Sequence, residues 1–88
     1  MDSVEALQAI RGLAKANRFR FTAHAAREAV ECGATRDDVR CALSNAKSIR
    51  ASGRERASDW TVTGPDQVGD DLDIAVIVED GILIITVY

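Results

Sequence analysis

The carboxyl-terminal part of the chain contains two strongly apolar, β-branched runs joined by a tight-turn signal. Residues 72–78 and 82–87 are rich in Ile, Val and Leu, and Glu79-Asp80-Gly81 separates them. This pattern predicts a β-hairpin at the centre of a sheet. The second run, ILIITV, does not alternate with polar residues, so this strand should be covered on both faces. Helices of the same chain would supply one cover and a partner the other.

Two helices are predicted in the first third of the chain. Apolar residues recur at three-residue intervals over residues 2–17, where Asp2 and Glu5 form an N-terminal cap. A second helix is predicted over residues 23–32, between a capping Thr22 and a terminating Gly33. The residues expected to face inward from this second helix are Ala26, Ala29 and Val30.

A third helix is predicted directly after Gly33, so that the second and third helices would form a tight hairpin. It opens with a capping box of Thr35 and Asp38. Its inward positions are Val39, Ala42, Leu43 and Ala46, and Arg36 and Arg40 would lie on the outer side. Two further strands are expected over residues 47–51 and 58–63, and residues 19–21 form an edge strand or an extended lead-in. The expected fold class is therefore α+β.

The length of 88 residues fits one domain, residues 1–88, with a modest core. We expect a cytoplasmic protein with no membrane association, because the sequence shows neither a long apolar span nor a secretory leader. Cys32 and Cys41 lack the spacing of a metal or redox motif and are interpreted as half-buried core thiols. Neither a metal nor another cofactor is predicted.

The net charge of −3 hides an uneven distribution of charge along the chain. All 11 Lys and Arg residues lie within residues 11–56, whereas residues 57–88 contain seven acidic residues and no basic one. Such a division suggests an anionic ligand at one surface and a cationic partner at another. A solvated charged face is the simpler explanation and stays open.

One helix face carries a histidine and carboxylates at helical spacing. His24, Glu28 and Glu31 lie at i, i+4 and i+7 beside Arg27. A histidine oriented by a carboxylate can act as a general acid or base on a ribose hydroxyl or a phosphate oxygen. The alternative is a local contact on an exposed, solvated face.

Arginines also concentrate around the connection between the two middle strands. Arg50, Arg54 and Arg56 could clamp a phosphate, or they could serve only solubility at a hairpin tip. Trp60 is interpreted as a core or partner anchor. Tyr88 follows the last strand, where its ring could cap the core or its phenol could reach a substrate phosphate.

Three segments of the chain resemble one family of small bacterial proteins. They are RFTAHAAREAVECGATRDDVRCAL (20–43), GDDLDIAVIVED (69–80) and ILIITVY (82–88). This family has the pattern F-x-x-H-A-x-x-x-M-x-E-x-G-I-x-x-x-D-V and a final T-V-Y. It resembles a branch of the RelE/ParE toxin superfamily close to MqsR and BrnT. The positions that match are Phe21, His24, Ala25, Glu28, Glu31, Gly33, Asp38, Val39, Thr86, Val87 and Tyr88.

The resemblance implies a RelE-like fold, with a twisted antiparallel sheet of about four strands packed on an N-terminal helix and a two-helix hairpin. It also implies the toxin of a type II toxin–antitoxin system, acting as a metal-independent endoribonuclease (an mRNA interferase). The implied partners are a cognate antitoxin of the MqsA (YgiT) zinc-finger type and RNA, free or on the ribosome; a homodimer is a further expectation.

Together, the residues and the resemblance give a set of candidate sites. The catalytic candidates are His24, Glu28, Arg54, Arg56 and Tyr88, and the RNA-binding candidates are Arg27, Arg36, Arg40 and Arg50. The alternative is a non-catalytic interaction module, or an inactive toxin homologue, whose acidic strands bind a basic partner or whose exposed sheet forms an oligomer.

Overall fold

Side chains that cap the first turn determine where each helix begins. Asp2, Thr22 and Thr35 each accept a hydrogen bond from the backbone N–H three residues later, as the sequence predicts. The computed structural model describes residues 1–52 and 58–88. Its helices are α1 (Ser3–Lys15), α2 (Ala23–Glu31) and α3 (Arg36–Ser44). Its strands are β1 (Phe19–Phe21), β2 (Ser48–Ala51), β3 (Trp60–Pro65), β4 (Asp71–Glu79) and β5 (Gly81–Val87).

The strands form one mixed sheet of five strands in the order β1-β5-β4-β3-β2. The predicted hairpin is confirmed: β4 and β5 pair antiparallel, and Gly81 has the positive φ of 129° that suits glycine in a tight turn. The expectation of about four antiparallel strands differs from this sheet. Phe19–Phe21 is a fifth strand, and it pairs parallel with β5. This pairing joins distant parts of the chain, so local alternation over three residues could not reveal it.

All three helices pack on one face of the sheet. The core contains Ile10 of α1, Ala29 of α2 and Leu43 of α3 together with buried residues of the strands. Those strand residues are Phe19, Val62, Ile74, Val76, Ile82, Ile84 and Val87. Because successive strand residues point to opposite faces, Leu83 and its cross-strand partners Arg20 and Ile77 lie on the other face. We call this other side, which no described helix covers, the open face.

The second and third helices do not form the tight hairpin that their short connection suggested. A turn with Gly33 at a φ of 73° joins them, but α3 packs against α1 and β3, whereas α2 packs against β5. The contact of α3 with β3 is close because position 64 is a glycine: a Cβ there would overlap the carbonyl of Ala42. The predicted inward residues of α3, Val39, Ala42 and Leu43, with Ala46 just after it, are all fully buried.

The inward face predicted for α2 was partly wrong. Ala29 is buried, but Ala26 is exposed and Val30 is 78% exposed, and Ala25 is buried in their place. An alanine-rich helix has a weak apolar stripe, so its rotation depends on what it packs against.

Cys32 is exposed and Cys41 is partly buried, which corrects the prediction for Cys32. Trp60 packs against the core, as predicted.

Within residues 1–52 and 58–88, no helix has the length and apolar character needed to cross a membrane.

Candidate functional site

The site lies beside the end of β5, on the edge that β1 covers only in part. Along the covered part, the N–H of Ile82 donates to the carbonyl of Arg18, and the carbonyl of Ile84 accepts from the N–H of Thr22. Beyond Thr22 the chain turns into α2, so the last residues of β5 pair with β4 on one edge and have no strand partner on the β1 edge. The N–H of Val87 donates instead to Oε1 of Glu28, at 3.3 Å. A carboxylate from α2 thus replaces a strand carbonyl.

Glu28 also holds His24. Nε2 of His24 lies 3.1 Å from the same Oε1 of Glu28, one helical turn away. The His24 side chain is 63% exposed, whereas that of Glu28 is 24% exposed. The structure therefore brings together the predicted pair, with an accessible imidazole backed by a half-buried carboxylate that the sheet anchors. Glu31, the third member of the predicted stripe, is exposed, and its side chain has no hydrogen bond or ion pair with any described residue.

Two more predicted residues adjoin, in the sequence, either this pair or the Val87 that anchors it. Tyr88 directly follows Val87, its N–H donates to the carbonyl of Asp73, and the residue is 44% exposed. Arg27 is three residues after His24 on α2, is exposed, and has no ion pair among the described residues. Residues three apart on a helix are surface neighbours, so Arg27 lies on the same side of α2 as His24. We define the site as His24, Arg27, Glu28 and Tyr88.

Two of the predicted RNA-binding arginines have partners within the fold. Arg40 donates to the carbonyls of Ala14 and Lys15 at the end of α1, at 3.2 and 2.9 Å. Cations at this end of a helix satisfy its free carbonyls and complement its dipole. Arg36 lies 4.0 Å above the ring of Phe19 and donates to Oδ1 of Asn17. Both side chains therefore already join α3 to the end of α1 and the start of β1.

The other predicted arginines lie elsewhere. Arg50 is exposed on β2, three strands away from β5, which is a distance of about 14 Å across a sheet. Arg54 and Arg56 lie outside the described residues. Their part in the site stays a prediction.

The geometry permits proton transfer by a histidine that a carboxylate orients, with an arginine three residues away on the same helix. Within the described part of the chain, no three or more His, Cys, Asp or Glu residues are grouped so that they could hold a metal ion. Sequence reasoning missed the backbone N–H of Val87, which anchors Glu28; the apolar pattern of β5 gave no sign of it. It also missed Arg20, which lies on the open face, and Arg18, which directly precedes β1.

Comparison of the chain with protein-family models, with curated proteins and with solved structures gave no match.

Proposed function

We propose that this protein is an RNA-cleaving toxin of a type II toxin–antitoxin system, with His24 as the group that moves the proton. The observation that carries the proposal is the exposed His24 imidazole held by a carboxylate that is itself anchored to β5. A histidine fixed in this way has one ring nitrogen committed to its partner and presents the rest of its ring to a substrate.

The proposed reaction is attack of a ribose 2′-hydroxyl on the adjacent phosphate. His24 takes the proton of the 2′-hydroxyl as O2′ bonds to phosphorus. The P–O5′ bond then breaks and the leaving 5′-oxygen takes a proton from water, so that a 2′,3′-cyclic phosphate and a 5′-hydroxyl result. Glu28 keeps the orientation of the imidazole through its contact with Nε2, so its role is to position His24 rather than to take the proton itself. Arg27, with Arg54 and Arg56, would stabilise the charge on the pentacoordinate phosphate, and Tyr88 would assist there.

The test is induced expression of three variants in a bacterial host, with growth and RNA 5′ ends as readouts. His24→Ala should abolish growth arrest and reduce cleavage by purified protein about 10²- to 10⁴-fold, the usual contribution of a general acid or base. Glu31→Gln is the matched control, because it lies exposed on the same helix outside the site. Glu28→Gln should fall between these two, since it keeps an acceptor for Val87 but loses the charge.

Purified protein should cleave RNA in the presence of a chelator, at a rate that changes between about pH 5 and 8. A flat pH profile, or full toxicity of a well-folded His24→Ala variant, would remove His24 from the mechanism. Normal growth and intact RNA with the wild-type chain would reject the toxin proposal.

A second candidate function, a non-catalytic interaction module, is supported by the open face. Leu83, Ile85 and Ile77 on or beside this face are only partly buried, and no described element covers them. A zinc-finger antitoxin is the partner that the resemblance suggests, and a second copy of this chain is the alternative. Co-expression with the neighbouring open reading frame, followed by co-purification and measurement of the mass of the complex, separates the two.

A further inference from the structure

A cleft of about 340 Å³ lies at the other end of β5 from the site, where β1 begins and the β4–β5 turn ends. Its walls are the segment after α1 and the hairpin turn, and Leu83 contributes to its lining. The charged residues that line it are Arg18, Arg20, Glu79 and Asp80. The volume is at the lower end of the range for small-molecule sites, about 300–1,000 Å³.

The four charged side chains do not pair with one another. Arg18 donates only to the backbone carbonyl of Asp80, at 3.4 Å, and Arg20 has no hydrogen bond or ion pair from its side chain to a described residue. The carboxylates of Glu79 and Asp80 likewise have no hydrogen bond or ion pair within the described part of the chain. Opposite charges on one cleft that stay more than 4.0 Å apart leave both signs available to a ligand.

Two of these side chains, Arg20 and Glu79, lie on the open face of the sheet. Arg20 is directly opposite Leu83, and Leu83 is directly opposite Ile77, so the three lie in one row. Glu79 is two residues from Ile77 on the same strand and therefore points to the same side. On this face Leu83 of β5 therefore lies between Arg20 of β1 and Glu79 of β4, and Arg18 and Asp80 complete the charged lining of the cleft.

We infer that this cleft binds one nucleotide of single-stranded RNA and selects guanine. Guanidinium groups bind phosphate and stack on bases, which suits Arg18 and Arg20. A carboxylate accepts hydrogen bonds, and guanine alone among the four bases presents two adjacent N–H donors on its Watson–Crick edge, at N1 and N2. Adenine and cytosine each present one amino group there, and uracil one N–H. Glu79 or Asp80 would therefore favour guanine, with the base resting on Leu83.

This inference rests on the proposed function for its biological meaning, because it assigns a base preference to the RNA substrate. The cleft and His24 lie at opposite ends of β5, which spans seven residues and therefore about 20 Å. The preferred guanine would consequently lie several nucleotides from the cleaved bond rather than beside it.

The test is a titration of the full chain with 5′-GMP, 5′-AMP, 5′-CMP and 5′-UMP. Chemical shifts of the backbone amides, measured by NMR, report binding. 5′-GMP should shift the amides of Arg20 and Leu83 and bind about tenfold more tightly than the other three nucleotides. Glu79→Gln together with Asp80→Asn should remove the preference for 5′-GMP. Arg20→Ala should weaken the binding of all four nucleotides. Glu5→Gln, an exposed change near the start of α1, is the matched control.

Each outcome decides the inference. Equal binding of the four nucleotides would leave a general phosphate site and overturn the guanine assignment. Absence of any shift in the cleft, with protection of the same amides by a co-purified protein, would overturn it in favour of a protein interface. Binding of 5′-GMP does not require cleavage, so a preference for 5′-GMP in a chain that cleaves no RNA would reject the proposed function and keep this site.

Discussion

Helices α2 and α3 have the same length, nine residues, and each begins at a threonine cap, yet they contribute differently to the molecule. Helix α3 buries Val39, Ala42 and Leu43, while α2 buries only two alanines. The arginines of α3 are bound within the fold, whereas His24 and Arg27 of α2 face solvent. The helix that buries fewer side chains in the core, α2, therefore carries the candidate site residues His24, Arg27 and Glu28.

The difference extends to the helix starts. The Asp38 carboxylate accepts from the N–H of Thr35, and it also accepts from the backbone and side chain of Gln67 in the β3–β4 connection. The first turn of α3 is thus tied to the sheet. Helix α2 has only the Thr22 cap and no acidic residue in its first turn. Its main polar tie to the sheet is the bond between Glu28 and Val87.

The largest expected difference between the two helices is in core packing. Leu43→Ala in α3 should lower the free energy of unfolding by about 2–5 kcal/mol, because it removes fully buried methyl groups and leaves a cavity. Val30→Ala, the matched truncation in α2, should change it by less than about 0.5 kcal/mol, because Val30 is 78% exposed. Urea denaturation of both variants measures this. Equal losses would mean that Val30 is covered in solution, for instance by a partner.

A smaller difference is expected at the caps. Thr35→Ala should cost about 1 kcal/mol, which corresponds to about 4–8 °C in the melting temperature of a domain of this size. Thr22→Ala should cost less, because the Thr22 hydroxyl accepts one backbone bond and takes no part in a capping box. Thermal denaturation followed by circular dichroism compares the two. A larger loss for Thr22→Ala would contradict the assignment of α3 as the more firmly anchored helix.

The smallest expected effect is a dependence of stability on acid. Hydrogen bonds from Thr35 and Gln67 lower the pKa of Asp38 from its ordinary value of 3.8 to about 2. A carboxyl with a lower pKa in the folded state stabilises the fold above its unfolded pKa, and this contribution is lost as the pH falls through the folded value. The stability of the wild-type chain should therefore fall more between pH 4 and pH 2 than that of Asp38→Asn.

Denaturation of both proteins at several pH values from 2 to 6 isolates the contribution of Asp38 to stability, since the other carboxylates titrate in both proteins. Parallel curves would show that Asp38 does not link α3 to the β3–β4 connection in solution.

Local sequence signals determined the helix starts, the Gly33 stop, the β4–β5 hairpin and the spacing of His24 and Glu28. These features depend on residues that are neighbours in the chain, so caps, turns and periodicity reveal them. The tertiary structure alone decided the parallel pairing of β1 with β5, because that contact joins distant segments and has no local signature.

The same physical reason divides the candidate site. The pairing of His24 with Glu28 follows from helical spacing, but the anchor on Val87 exists only because β1 ends early and α2 takes its place along β5. The rotation of α2 was also decided by packing, since its alanines leave the apolar direction weakly marked. Likewise, Arg18 and Arg20 line one cleft with Glu79 and Asp80 only after the sheet forms, so this cleft belongs to the tertiary structure.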